Sequence, residues 1–172
     1  MARVRARRGR VVVDLTGVEV QLLAGLGESL APLLDGGPTS GVSTDPVRDR
    51  LFPRAYLDPT EEHAEGEWQS LVHPELVAQK SAALATLAAN LADAGAEGVA
   101  SEQSVRAKLT ASDAEAWIMA LNDARVVLGV TLEITDSFDP RTLDPTDPTQ
   151  APFFVYDMLT HLQGALVEAV SG

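Results

Sequence analysis

The chain has 172 residues, 45% of them hydrophobic and 22% charged, and these proportions are ordinary for one globular domain. It has no cysteine, which excludes disulfides, thiolate metal sites and cysteine nucleophiles within this sequence. No apolar run approaches the roughly 18 residues that a membrane-spanning helix needs, and the run after the basic N-terminus is too short for a signal-peptide core. We therefore expect a cytoplasmic protein.

The charge is distributed unevenly along the chain. The net charge is −12, from 13 basic and 25 acidic residues, yet residues 1–10 contain five basic residues and no acidic one. The simplest interpretation of residues 1–10 is a flexible, solubilising arm. If the arm has a function, it is contact with DNA or a partner protein, because the acidic remainder repels phosphates. The arm's basic residues are Arg3, Arg5, Arg7, Arg8 and Arg10.

Two segments have strand patterns, and a helix cap follows each of them. Residues 10–15 are a β-branched run, and residues 103–109 (QSVRAKL) alternate apolar and basic side chains. Thr16 and Thr110 come next, each with an acidic residue at the capping-box position three residues later. Because a two-stranded ribbon alone is marginally stable, we expect these strands to pair and to pack on helices.

Helical periodicity predicts about five helices in one bundle-like domain, residues 11–172. The pattern indicates separate helices starting near Thr60 and Pro74, and a last amphipathic helix from about residue 152 to residue 170. Residues near 36–45 and 136–152 are rich in Gly, Pro, Asp and Thr and are predicted loops. The sequence therefore predicts a mainly α fold with a small two-stranded β element.

A polar group interrupts the most apolar helix pattern, AWIMALNDARVVLG (residues 116–129). If Trp117 and Leu121 face the core, Arg125 lies on the same face, and a buried cation needs a partner. That partner is a carboxylate or a set of carbonyl oxygens, and Asp157 on the last helix is the candidate carboxylate. The simpler interpretation is a satisfied network that fixes the register of two helices, and the alternative is a pocket for a small molecule or a metal. The candidate members are Asn122, Asp123, Arg125, Tyr156 and Asp157.

Other patterns in the sequence indicate no site. His63, His73 and His161 do not have the spacing of a metal site. No glycine motif for nucleotides and no nucleophile–base arrangement occurs. We therefore predict no catalytic residue, no cofactor and no metal ligand.

Several segments resemble an actinobacterial family. They include LNDARVVLG (121–129) after Ala-Trp, VYDMLxxLQxxLV (155–167), LFPxAY (51–56), the basic arm ending in Gly-Arg and a long helix containing Lys80. Together they resemble a family long called a domain of unknown function, encoded near the adaptor ClpS and now named the oxidative stress transcription regulator AosR family. The resemblance spans nearly the whole chain.

The resemblance implies a transcription-associated regulatory protein that acts with sigma factor or polymerase or on promoter DNA. Redox sensing in that family is attributed to a cysteine pair, and a chain without cysteine has no such thiol switch. We therefore expect a non-enzymatic protein with a protein partner from the transcription machinery, in which only the arm reaches DNA. A homodimer is compatible with the amphipathic helices. The alternative is a small-molecule or metal-binding domain that uses the polar group.

Overall fold

The computed structural model describes residues 2–7, 9–34, 45–97 and 104–172. Within these residues it has five α-helices and one antiparallel sheet, so the prediction of a mainly α fold with a small β element is confirmed. The strands are β1 (Arg3–Arg7), β2 (Arg10–Leu15) and β3 (Val105–Leu109). The helices are α1 (Gly17–Leu34), α2 (Pro46–Leu51), α3 (Glu62–Glu97), α4 (Ala111–Thr131) and α5 (Ala151–Ser171). None of the helices in the described part of the chain is long and apolar enough to cross a membrane.

The sheet has three strands in the order β1-β2-β3, so the prediction of two strands was wrong. The expected pairing of β2 with β3 is confirmed, with Val13 opposite Ala107. The prediction of a flexible arm was also wrong for residues 3–7, because they pair along β2 from Arg3 opposite Asp14 to Arg7 opposite Arg10. In β1 the apolar residues alternate with arginines, which is the two-residue period of a strand with one face on the core.

Capping residues connect the sheet to the helices as the sequence predicts. The Thr16 amide donates to Glu19 Oε2 over 2.8 Å, and the Glu19 amide donates to Thr16 Oγ1 over 3.3 Å. A second capping box joins Thr110 and Asp113 at the start of α4. Glu19 also accepts a hydrogen bond of 2.7 Å from the Ala2 amide, so the first residues of the chain are tethered to α1.

Helix α3 is continuous through Pro74, so the prediction of two helices that meet there was wrong. Proline cannot donate the helical hydrogen bond of its position, but packing on both sides offsets that loss. Before it, His73 is buried with its ring centroid 4.7 Å from that of Phe52. After it, a stripe that includes Leu84 and Leu87 is buried in the core.

The core lies where the sheet, α3, α4 and α5 meet. Trp117 of α4 is fully buried at its centre, and its indole N–H donates to Asn90 Oδ1 of α3 over 3.0 Å. The predicted loop at 36–45 lies outside the described residues apart from Asp45, which caps α2. The predicted loop at 136–152 contains two short 3-10 turns, Pro140–Thr142 and Pro148–Gln150, and α5 already begins at Ala151.

Candidate nucleic-acid interface and the polar cluster of the C-terminal helices

The outer surface of the sheet is basic. Residues directly opposite one another in paired strands point to the same side, so the register places the charged residues of all three strands on one surface. All six basic residues there are exposed. We call this surface the basic face, and its basic residues are Arg3, Arg5, Arg7, Arg10, Arg106 and Lys108.

These six residues occupy a small area. With strands about 4.8 Å apart and about 3.4 Å per residue, the face measures roughly 13 Å along β1 and 10 Å across the sheet. Among the residues that the structure describes, it contains one acidic residue, Asp14, while the remainder of the chain has 7 basic and 24 acidic residues. The basic face thus has a net charge of +5 on a protein whose other residues total −17.

Asp14 holds two of the arginines in place. Its Oδ1 accepts a hydrogen bond of 2.7 Å from Arg106 Nε on one neighbouring strand, and its Oδ2 is ion-paired with Arg5 on the other. The hydrogen bond from Arg106 and the charges of both arginines lower the pKa of Asp14, although partial burial opposes them. The ionised carboxylate therefore links all three strands and orients two guanidinium groups on the face.

The sequence prediction found four of these six basic residues. Arg3, Arg5, Arg7 and Arg10 belong to the predicted arm, and Arg8 lies outside the described residues. Arg106 and Lys108 were not assigned to any site. The alternation in QSVRAKL could have identified them, because it puts both residues on the solvent side of the strand that pairs with β2.

The predicted polar group of α4 and α5 divides into separate contacts. Asp123 is buried and accepts a hydrogen bond of 2.6 Å from Lys80 Nζ, so it connects α4 to α3 and not to α5. Burial raises the pKa of Asp123, although the Lys80 ammonium group opposes that rise. Asp157 Oδ1 lies 3.4 Å from Nδ1 of His161, which is on the same helix.

Arg125 connects α4 to α5, but the candidate partner Asp157 was wrong. Its Nε donates to Thr160 Oγ1 over 3.0 Å, and its Nη1 donates to Gln163 Oε1 over 2.6 Å. The guanidinium carbon also lies 5.6 Å from the ring centroid of Tyr156. Thr160, Gln163 and Tyr156 are neutral, so among the described residues Arg125 has no ion-paired carboxylate.

Three of the five predicted members, Asn122, Arg125 and Tyr156, line one cavity of about 620 Å3. The cavity lies beside the second half of α4 and is also lined by Arg50 of α2. Asp123 and Asp157 do not line it. Within the described part of the chain, no group of three or more His, Cys, Asp or Glu residues is arranged to hold a metal ion.

Residues 1–170 match the family described as Domain of unknown function (DUF2017). The chain belongs to this family. It is 34% identical over 199 residues to the oxidative stress regulator AosR of Mycobacterium tuberculosis, an alignment covering 99% of this chain and 87% of the relative. Identity and coverage are the same for the oxidative stress regulator AosR of Mycobacterium bovis.

A putative oxidative stress regulator AosR of Mycobacterium leprae is 36% identical over 137 residues, which cover 73% of this chain and 58% of the relative. No solved structure matches the chain. The resemblance to the AosR-like family is therefore confirmed, and the names of these DUF2017 relatives support a regulatory role.

Proposed function

We propose that the protein is a non-enzymatic regulator associated with transcription, and that it contacts the phosphate backbone of nucleic acid through the basic face. The observation that carries this proposal is the separation of charge, +5 on one side of the sheet against −17 elsewhere. The regulatory names of the DUF2017 relatives support the same class of function.

Phosphate groups fit the chemistry of this surface. Guanidinium groups donate paired hydrogen bonds to phosphate oxygens, and five of the six basic residues of the face are arginines. The acidic remainder repels nucleic acid, so only the basic face would approach the backbone. Contact is therefore restricted to one orientation of the protein.

Sequence selectivity would come from a protein partner. Contacts with phosphates position a protein on DNA but carry no base information. A sigma factor or RNA polymerase bound at the same time would supply the promoter preference. Because the sequence has no cysteine, the protein would respond to its signal without a thiol switch in this chain.

The test is binding of a fluorescent DNA duplex of about 20 base pairs at salt concentrations from about 50 to 200 mM. We compare the wild-type protein with Arg7→Gln/Arg10→Gln on the basic face. The control is Arg50→Gln/Arg141→Gln, which removes the same charge from exposed positions outside that face. Neither double variant replaces Arg5 or Arg106, the ion-pair partners of Asp14, so the sheet keeps these ion pairs.

We expect the wild-type affinity to fall steeply with salt, and the face variant to lose about two units of the slope of log K against log salt. The control should keep nearly the whole slope. Equal losses in both variants, or no binding by the wild type, would contradict contact through the basic face. Co-purification with polymerase or sigma factor then tests the regulatory role separately.

One observation favours the second candidate function, which is binding of a small molecule between α4 and α5. That observation is the cavity of about 620 Å3 beside Arg125, a volume within the usual range for ligand sites. This function is compatible with the first, because the cavity and the basic face use different residues.

A further inference from the structure

The cavity beside α4 is lined by both apolar and cationic side chains. The apolar ones include Val126, Val130 and Ile134, and the cationic ones are Arg50 and Arg125. Small-molecule pockets combine apolar surface with converging polar groups, and this cavity has both.

The main observation that points to a ligand is that Arg125 has no charged partner among the described residues. It is half-buried, and two of its five N–H groups donate to neutral oxygens of Thr160 and Gln163. A cation removed from water normally has a carboxylate partner, and the described residues provide none for Arg125. An anion in the cavity would supply the missing charge.

A second guanidinium group, that of Arg50, also lines the cavity. Arg50 is exposed and forms no ion pair with any described carboxylate. Glu133 also lines the cavity, is exposed, and lies more than 4 Å from the nitrogens of both arginines. Two cations and one anion leave the cavity with a net charge of +1, which matches a monoanion better than a phosphate dianion.

We propose that this cavity binds a small monocarboxylate with an apolar or aromatic body. The carboxylate pairs with Arg125 and Arg50, and the body packs on Val126, Val130 and Ile134. The proposal gives a ligand class to the second candidate function and rests on that function alone. It does not depend on nucleic-acid contact by the basic face.

The probe for the test is phenylacetate, with phenylacetamide as the uncharged control of the same shape. Backbone amide shifts of the full-length protein are followed by NMR during titration to about 20 mM, because fragments of this size bind weakly. We expect saturable shifts for residues 122–135, and about tenfold weaker binding of the amide, since a charge-assisted pair is lost. Inorganic phosphate should bind more weakly than phenylacetate.

Variants at Gly129 test whether obstructing the cavity removes binding without destabilising the fold. A Cβ added at Gly129 would lie 3.5 Å from a Tyr156 ring carbon, an ordinary contact, so Gly129→Ala should fold and bind. Gly129→Leu places a branched side chain in the cavity but leaves Thr160 and Gln163 available to Arg125. We expect it to keep its melting temperature and to lose phenylacetate binding.

A third variant, Arg50→Gln, should weaken binding about threefold because Arg50 is exposed. Equal binding of acid and amide, unchanged binding by a folded Gly129→Leu, or no saturable shift in the wild-type protein would each overturn the proposal. None of these results affects the interpretation of the DNA titration, so either proposed function can be refuted without refuting the other.

Discussion

Two of the regions that contain arginine differ in how their positive charge is compensated. On the sheet, six basic side chains stand in solvent around one carboxylate, Asp14. Between α4 and α5, a single arginine is half-buried among neutral oxygens and an aromatic ring. Water and salt compensate exposed cations at little cost, so the surface accumulates them, whereas a buried cation needs a local partner. The same residue type therefore indicates a polyanion surface in one place and a small-anion pocket in the other.

A third arrangement of charge is the pair of Lys80 and Asp123, in which a buried cation has its own carboxylate. Breaking this pair should cause the largest loss of stability. Lys80→Ala leaves Asp123 buried without its partner and should lower the free energy of unfolding by about 3 kcal/mol at pH 7. Urea unfolding measures this loss. The double variant Lys80→Met/Asp123→Leu should recover most of it, because no unpaired charge remains.

The pH dependence checks the cause of that effect. Burial already raises the folded-state pKa of Asp123 above the unfolded value near 3.8, and removing Lys80 raises it further. A raised acid pKa means that destabilisation appears as the pH rises through the unfolded and then the folded pKa. The defect of Lys80→Ala should therefore shrink as the pH falls toward about 4. A defect that is the same at pH 4 and pH 7 would instead indicate lost packing.

Replacing Glu19 should give an intermediate effect, and the pKa of this carboxyl is shifted in the direction opposite to that of Asp123. Burial acts to raise its pKa, but hydrogen bonds from Thr16 and from the Ala2 amide outweigh burial and lower it from 4.5. The stability it contributes is therefore present above about pH 4.5 and is lost as the pH falls through the folded-state pKa.

Glu19→Gln should lower the free energy of unfolding by about 1.5 kcal/mol at pH 7, because a hydrogen-bonded buried carboxylate is lost. The difference from the wild type should shrink in unfolding experiments as the pH falls below 4.5 and through the folded-state pKa. Asp113→Asn removes the other capping-box acid, which has no contact like that with Ala2, and should cost less. An equal loss in both variants would show that the tether to β1 is not what Glu19 contributes.

Replacing Asp14 should give the smallest change in stability, and it should strengthen DNA binding and not weaken it. Its partners are more than half exposed, so Asp14→Asn should cost no more than about 1 kcal/mol. The same substitution raises the charge of the basic face by one, so DNA affinity at low salt should rise. A fall in affinity would mean that Asp14 acts mainly by orienting Arg5 and Arg106.

The sequence predicted those parts of the fold that local patterns specify. Both capping boxes, the pairing of β2 with β3 and the last helix depend on short-range spacing, and the structure has all of them. β1 was missed because five arginines concealed the alternation of Val4 and Ala6 with charged residues. The break at Pro74 was wrong because core packing outweighs one lost hydrogen bond.

Side-chain partners across helices were harder to predict, and Arg125 shows why. Tyr156, Thr160 and Gln163 are spaced four and three residues apart and share the face of α5 that meets α4. Asp157 is one residue out of this pattern, about 100° around the helix, and contacts His161 instead. Lys80 and Asp123 are 43 residues apart, and no local spacing connects them.

β1 has a consequence for self-association. It forms one edge of the sheet, and an edge strand offers unpaired backbone groups to which a second copy of the chain could add. Arg3, Arg5 and Arg7 run along that edge, so two copies that approached edge to edge would bring three arginines against three. Their mutual repulsion protects the protein from aggregation through this sheet edge at low ionic strength. Because salt screens exposed charges, the protection should weaken as the ionic strength rises.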